Sequence, residues 1–312
     1  MRKWWVLAVV ALLAACASRP SDYNGASAPR AAPIVPLKSD RPLIALALGS
    51  GGSRGFAHVG VIKALEEAGI IADIVAGSSS GAVVAALYAA GHDAKSLEEL
   101  AVAVDGDTLL DFTLFGNGWV LGEALQDFVN EAVGRRPIEK LARPFAVAAT
   151  RGRDGARVIF NRGDTGVAVR ASASVPRVFI PPVIRGEEYI DGGLTTPIPV
   201  HTARAMGADV VIAVDVSWSA VARANGAYAA SDDTTRSRPE RHRRLEDELS
   251  AADVVIVPLI ERTRMLDFGR KLEHIAAGEE AARAAIPRIR DLLARVQLEK
   301  PSRTLSGDPA SR

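Results

Sequence analysis

The stretch Ile74-Val-Ala-Gly-Ser-Ser-Ser-Gly-Ala-Val-Val-Ala-Ala-Leu87 sets three consecutive serines between two glycines. An apolar run, Ile70 to Val75, precedes them and reads as a strand; Ala82 to Ala90, rich in small residues, reads as a helix. The serines therefore fall at a sharp strand-to-helix turn, and Gly77-Ser78-Ser79-Ser80-Gly81 fits the pattern G-x-S-x-G. Only Ser79 has glycine both two residues before and two residues after it. A turn of this kind strains the backbone of its central residue, and a β-carbon at Gly77 or Gly81 would strike the crossing chain. The Ser79 hydroxyl would then stand at the carboxyl end of a sheet, beside a helix N-terminus that favours developing negative charge. A purely structural Gly/Ser turn satisfies the same letters, so the elbow by itself leaves both readings open.

Outward from the elbow the pattern repeats. Leu43 to Leu48 is a continuous apolar run of the sort a strand buried on both faces requires, and His58 to Ala68 has helical spacing. Phe145 to Ala149, Val158 to Phe160, Val210 to Asp215 and Val254 to Pro258 are further short strands with helical segments between them. This alternation predicts an α/β layered domain with a mostly parallel central sheet, over residues 42–297. The 312 residues are 48% hydrophobic and 24% charged, enough to bury a large core. Lys plus Arg number 38 against 37 for Asp plus Glu, which provides no field to draw in nucleic acid.

The N-terminus reads as an export signal. Arg2 and Lys3 give a basic start, Val6 to Leu13 is too short an apolar run to span a bilayer, and Leu13-Ala-Ala-Cys16 follows. This resembles a bacterial lipoprotein signal, which implies cleavage after residue 15 and lipidation of Cys16. Ala17 in place of an aspartate resembles outer-membrane sorting, and the expected location is the outer membrane, facing the periplasm. Cys16 is the only cysteine, so no disulfide is expected. Residues 16–41, rich in Pro, Ala and Ser, are expected to be a flexible tether, residues 219–250 a mobile polar loop leading into a short helix, and 298–312 a loose tail. Ile275 to Val296 reads as a closing helical region that Pro287 is expected to kink or restart.

Two further motifs stand at strand ends. Gly49-Ser-Gly-Gly-Ser-Arg-Gly55 follows the first strand, and its backbone N–H groups could cradle an anion. A dinucleotide loop is the rival reading, but the frame ending on Gly55 begins with Ser50 rather than glycine, and no acidic residue closes the second strand. Asp191-Gly192-Gly193 puts a carboxylate on a tight turn after a short strand, which taken alone is an ordinary turn.

Glycine loop, serine elbow and Asp-Gly-Gly in this order resemble the patatin-like phospholipase family. The resemblance extends from about Leu43 to Leu293 and includes Arg170 to Pro182, Pro197-Ile-Pro-Val200 and the Gly278-Glu-Glu helix. It implies a three-layer patatin-like fold and a lipid acyl hydrolase of the phospholipase A or lysophospholipase type. Ser79 would be the nucleophile and Asp191 its base, with no histidine, metal or organic cofactor. Gly51, Gly52 and Ser50 would supply oxyanion donors through their N–H groups, Arg54 and Gly55 would shape the loop, and Gly192 and Gly193 the turn. Ser50 departs from the family's usual glycine at this position. A carboxylate partly removed from water is basic enough for the role. The expected partners are a membrane lipid or acyl ester as substrate and the membrane itself through Cys16. A thioesterase or small-ester hydrolase with the same site, and a lipid- or partner-binding lipoprotein with an impaired dyad, are the alternatives.

None of His58, His92, His201, His242 and His274 follows a motif that would place it beside Ser79, and His58 reads as a packing or capping residue. Phe112, Leu114, Phe115 and Trp119 cluster before a helix expected near Gly122, either as core or as an apolar rim over an acyl channel. The Arg236 to Arg244 run is either a solvated loop or a contact for phosphate headgroups.

Overall fold

The computed structural model describes residues 22–113, 118–217, 238–261 and 263–299. Among them, strands β1 (Asp22–Tyr23), β2 (Ile44–Leu48), β3 (Ile74–Ser78), β4 (Phe145–Arg151), β5 (Arg157–Phe160), β6 (Val183–Ile184), β7 (Glu187–Ile190), β8 (Val210–Val214) and β9 (Val254–Ile256) form one sheet. Its order is β1-β6-β7-β4-β3-β2-β8-β9, with β5 paired to β4. The central pairs β4-β3, β3-β2, β2-β8 and β8-β9 are parallel, as the buried apolar runs predict.

Alternate residues of the central strands enter two different cores. Ile44, Leu46 and Leu48 face the larger one, built with helices α1 (Ala57–Glu67), α2 (Ser80–Ala90), α3 (Ala94–Ala103), α5 (Glu123–Ala132), α6 (Thr165–Ala173) and α9 (Lys271–Glu299); the short α4 (Gly106–Leu109) lies between α3 and α5 in sequence. Ala45, Ala47, Ile74, Ala76, Val211 and Ala213 face the smaller one, closed by α7 (Val200–Ala205) and α8 (Arg238–Ser250). Two helical layers therefore enclose the sheet, and the mostly parallel three-layer arrangement is the expected one. On the larger side α1 and α9 touch backbone to backbone. A β-carbon on Gly60 would lie 1.9 Å from the Ile275 carbonyl oxygen, and one on Gly278 would lie 2.0 Å from that of Ala57.

One expectation about segments is corrected and two are narrowed. Residues 22–41 do not form a free tether but run along the domain. β1 pairs with β6, Arg30 N–H donates to Arg162 at 3.0 Å, the Asn161 side chain bonds both backbone groups of Ala32 at 2.9 Å, and Leu37 N–H donates to Met206 at 2.8 Å. A segment without apolar periodicity can still dock through its backbone groups, which composition does not reveal. Residues 238–250 of the predicted loop are helix α8; the part from 218 to 237 lies outside the described residues, as do the signal, Cys16 and the tail from 300. Pro287 sits inside α9, which does not restart there but continues to Glu299. The missing N–H costs one bond in a helix that tertiary packing of Ile275, Ala282 and Ile289 holds in place.

Candidate active site

The topology of β4 assembles the site. One edge of this strand is occupied by β5 opposite residues 147–150, so its other partners share the remaining edge. There β3 pairs in parallel as far as Ser78 opposite Ala148, and β7 arrives antiparallel, ending with Ile190 opposite Thr150. The ends of β3 and β7 thus meet head to head along one neighbour. The chain leaves β3 through Ser79 and leaves β7 through Asp191, so two residues 112 apart in sequence are brought together: Ser79 Oγ donates to Asp191 Oδ2 at 2.6 Å.

Ser79 has φ 53° and ψ −125°, a positive-φ conformation that a serine adopts only when its surroundings impose it. What imposes it is crowding. A β-carbon on Gly81 would lie 2.2 Å from the Leu48 carbonyl oxygen, and one on Gly77 would lie 2.5 Å from Ala82 Cα. Ser79 N–H donates to Ser172 Oγ at 2.8 Å, which fixes the elbow against α6. Sequence reasoning did not single out Ser172, because no local pattern marks a bond across 93 residues.

Asp191 is 7% exposed and held from several sides. Its Oδ1 accepts Gly193 N–H at 2.7 Å, its N–H donates to Ser174 at 2.9 Å, and its carbonyl accepts Thr150 Oγ1 at 2.9 Å. Gly192 and Gly193 are required for contact: added β-carbons would lie 2.1 Å from the Ala148 carbonyl oxygen and 2.5 Å from Ser50 Oγ. Burial pushes the Asp191 carboxyl above the usual carboxylate range, against the opposing pull of the bonds from Ser79 and Gly193 and the charge of Arg241. A carboxylate of raised basicity in contact with a hydroxyl can accept its proton.

The glycine loop turns over the elbow, and its donors differ from expectation at one place. Ser50 N–H donates to the Pro197 carbonyl at 2.9 Å and cannot face a substrate. The reason is that Gly49 N–H donates to Val214 and Ser50 N–H to Pro197, so the chain still bonds outward to its neighbours immediately after β2 ends. Gly51 N–H points to Ser80 Oγ at 3.2 Å. Gly52 opens a 3-10 turn over Gly52–Phe56 and Ser80 opens α2, so both N–H groups lack an acceptor within their own element. Arg54 is 4% exposed, its Nε donates to the Gly51 carbonyl at 3.2 Å, and burial followed by the charge of Arg241 pushes its guanidinium down to about 9. Gly55 admits Ser80: a β-carbon there would lie 2.6 Å from the Ser80 Oγ.

His58 is fully buried, with Nε2 2.9 Å from the Gly49 carbonyl, and burial pushes it down to about 4. It is a neutral packing residue that supports the start of the glycine loop, as its position in the sequence suggests. No histidine among the described residues bonds to Ser79 or Asp191. Among the described residues there is also no cluster of His, Cys, Asp and Glu able to hold a metal ion.

From Ser79 a cavity of about 140 Å³ runs between α2, α3 and α5. Val83, Val84 and Leu87 of α2, Leu97 and Leu100 of α3 and Phe128 of α5 are among the apolar side chains that line it. Val83 and Val84 are only half-buried although they sit in the middle of a helix, because they face this space. Phe112 and Trp119 are each 68% exposed, and Trp119 N–H bonds to Val178 beside Phe179, which lines the cavity. Of the two readings of the aromatic cluster, the rim fits these two residues; Leu114 and Phe115 lie outside the described residues.

The family model for patatin-like phospholipases matches residues 46–204. An uncharacterized NTE family protein of Mycobacterium tuberculosis is 41% identical over 187 residues, covering 58% of this chain and 51% of the relative. Mouse patatin-like phospholipase domain-containing protein 6 is 35% identical over 182 residues, covering 55% of this chain and 13% of that protein. The chain thus spans about half the length, or less, of these curated relatives. The crystal structure of VipD from Legionella pneumophila superposes with a TM-score of 0.51 at 14% identity, covering 89% of this chain and 71% of that one, a likeness of fold.

Proposed function

The chain belongs to the patatin-like phospholipase family, and on that premise we propose that it is a lipid acyl hydrolase working through Ser79 and Asp191. The observation that carries this reading is the 2.6 Å bond between Ser79 Oγ and the buried Asp191 carboxylate at the mouth of an apolar cavity. Asp191 accepts the hydroxyl proton as Ser79 Oγ attacks the ester carbonyl. The tetrahedral oxyanion forms against the N–H groups of Gly52 and Ser80, and of Gly51 once it leaves Ser80 Oγ. Each such donor is worth about 2.7 to 4 kcal/mol of barrier. Collapse expels the alcohol, which takes the proton from Asp191 and leaves the acyl group on Ser79. Water then attacks the acyl carbonyl while Asp191 takes its proton. The carboxylic acid departs and the proton returns to Ser79.

The cavity receives the acyl chain, since its lining offers dispersion and hydrophobic contacts along a chain and almost no polar partner. The phospholipase A or lysophospholipase type, and attachment to a membrane through a lipidated Cys16, belong to the same proposal. The sequence supports the second through Leu13-Ala-Ala-Cys16.

The test is labelling of the purified protein with a fluorophosphonate probe, followed by peptide mapping and turnover of medium-chain esters. The parent labels at Ser79 and turns over. Ser79→Ala abolishes both and Asp191→Asn lowers turnover by at least a hundredfold, as loss of a general base predicts (about 10² to 10⁴). Undiminished labelling of Ser79→Ala would refute the assignment.

A further inference from the structure

Helix α8 brings a cation to the outer side of the dyad that the reaction as described does not use. Arg241 Nε donates to the Gly193 carbonyl at 3.2 Å, two residues from Asp191. The side chain is exposed, and no carboxylate among the described residues pairs with it. The acids nearby are engaged elsewhere. Asp191 is committed to Ser79 and Gly193, while Glu240 takes Arg244 at 3.0 Å and also Arg243. Arg244 adds a long contact, 3.4 Å, to the Leu194 carbonyl of the same turn. With Nε bound, the two terminal nitrogens of Arg241 form a fork anchored at the turn that carries Asp191 and open to solvent. A planar guanidinium fork pairs with phosphate through two parallel charged hydrogen bonds.

The cavity from Ser79 is lined almost wholly by apolar groups and includes neither the Asp191 turn nor Arg241, so a charged group carried by the ester oxygen must lie outside it. In a glycerophospholipid the phosphate and the acyl ester share one glycerol. We propose that Arg241 is the subsite for the phosphate of an anionic glycerolipid, selecting phospholipids over neutral acylglycerols. This rests on the hydrolase reading above. Arg241 also acts on the dyad as a charge, since it opposes the effect of burial on Asp191. The test must therefore separate recognition of an anion from a general effect on the base.

The separation is a ratio. Turnover of oleoyl-lysophosphatidylglycerol and of monoolein, equal in chain and different in charge, is measured in neutral detergent micelles for the parent, Arg241→Gln and Arg241→Lys. Arg241→Gln is expected to lower the ratio of kcat/KM, phospholipid over monoolein, about tenfold, mostly through KM, and Arg241→Lys to retain part of it. Added salt should shrink the parent's ratio, because an exposed charge is screened. Equal losses on both substrates would show that Arg241 acts only through Asp191 and would overturn the subsite. Inorganic phosphate at matched ionic strength should leave monoolein kinetics unchanged. Competition that depends on Arg241 would mark a free-phosphate site and overturn the headgroup assignment. Calorimetric binding of lysophosphatidylglycerol to Ser79→Ala, with and without Arg241→Gln, keeps the two proposals apart. Binding that weakens about tenfold in a chain whose parent shows no ester turnover overturns the hydrolase reading alone. Binding indifferent to Arg241 overturns the subsite alone.

Discussion

On the proposed reading the cavity is a ruler for the acyl chain, and Val84→Trp should shorten it. Ser80, Val83, Val84 and Leu87 line the cavity from the same helix that Ser79 caps. At about 1.5 Å per residue, Val84 stands about 7.5 Å and Leu87 about 12 Å along the helix from Ser79, room for about six and about nine methylenes of an extended chain. Each methylene moved from water into this lining is worth about 0.8 kcal/mol, a factor of about four in kcat/KM. For the parent, p-nitrophenyl esters should therefore gain about fifteenfold for each pair of carbons and level off once the chain reaches Leu87 and the α3 side chains Leu97 and Leu100. An indole at position 84 fills the channel after its first turn. The variant should then keep butyrate turnover within about threefold of the parent and lose the gain beyond it, so that the decanoate-to-butyrate ratio falls by at least a hundredfold. The assay is kcat/KM across the butyrate to dodecanoate series, with a thermal melt to confirm folding. A variant that melts normally and retains the parent's slope would show that the chain lies elsewhere; equal loss on every ester would show that position 84 acts on the elbow and not on the channel.

Two further outcomes follow from burial of charge. Because burial raises the Asp191 carboxyl above its unfolded value of about 3.9, the folded state binds this proton more tightly, and the stability it contributes is lost as pH rises through the folded value. Asp191→Asn should thus melt above the parent at pH 7, with the difference closing near pH 3. A parent that melts higher at pH 7 would contradict the stated burial cost. His58 has the opposite sign. Its folded value of about 4 lies below the unfolded 6.5, so the unfolded chain binds the extra proton, and stability falls as pH drops between them, by about 3 kcal/mol in total. Denaturant titrations at pH 7 and pH 4.5 should show most of that loss in the parent and a smaller one in His58→Gln; equal losses would place the acid sensitivity in other groups.

Much of this protein is written locally. The buried strands are apolar because both faces are covered, and the elbow is legible because Gly77 and Gly81 stand where the crossing chain leaves no room for a β-carbon. The glycine loop and the Asp-Gly-Gly turn are legible for the same reason, since close approach of backbone to backbone demands a particular residue at a particular position. His58 could be set aside as a packing residue from its place at a helix start. Docking of residues 22–41 could not be read, because it is made by backbone groups that every residue possesses. Nor could the fate of the Ser50 N–H, which depends on where Pro197 lies rather than on any neighbour in sequence.

The sequence by itself determined the layered α/β architecture, the choice of Ser79 among three serines and the family, because strand burial and glycine contacts are constraints a short window records. Only the tertiary structure decided what surrounds the pair. That β3 and β7 end against the same edge of β4, that Ser172 holds the elbow, that α2, α3 and α5 leave an apolar channel, and that Arg241 rests on the Gly193 carbonyl are all contacts between distant segments. Such contacts arise from packing of whole elements, whose geometry no local pattern of residues encodes.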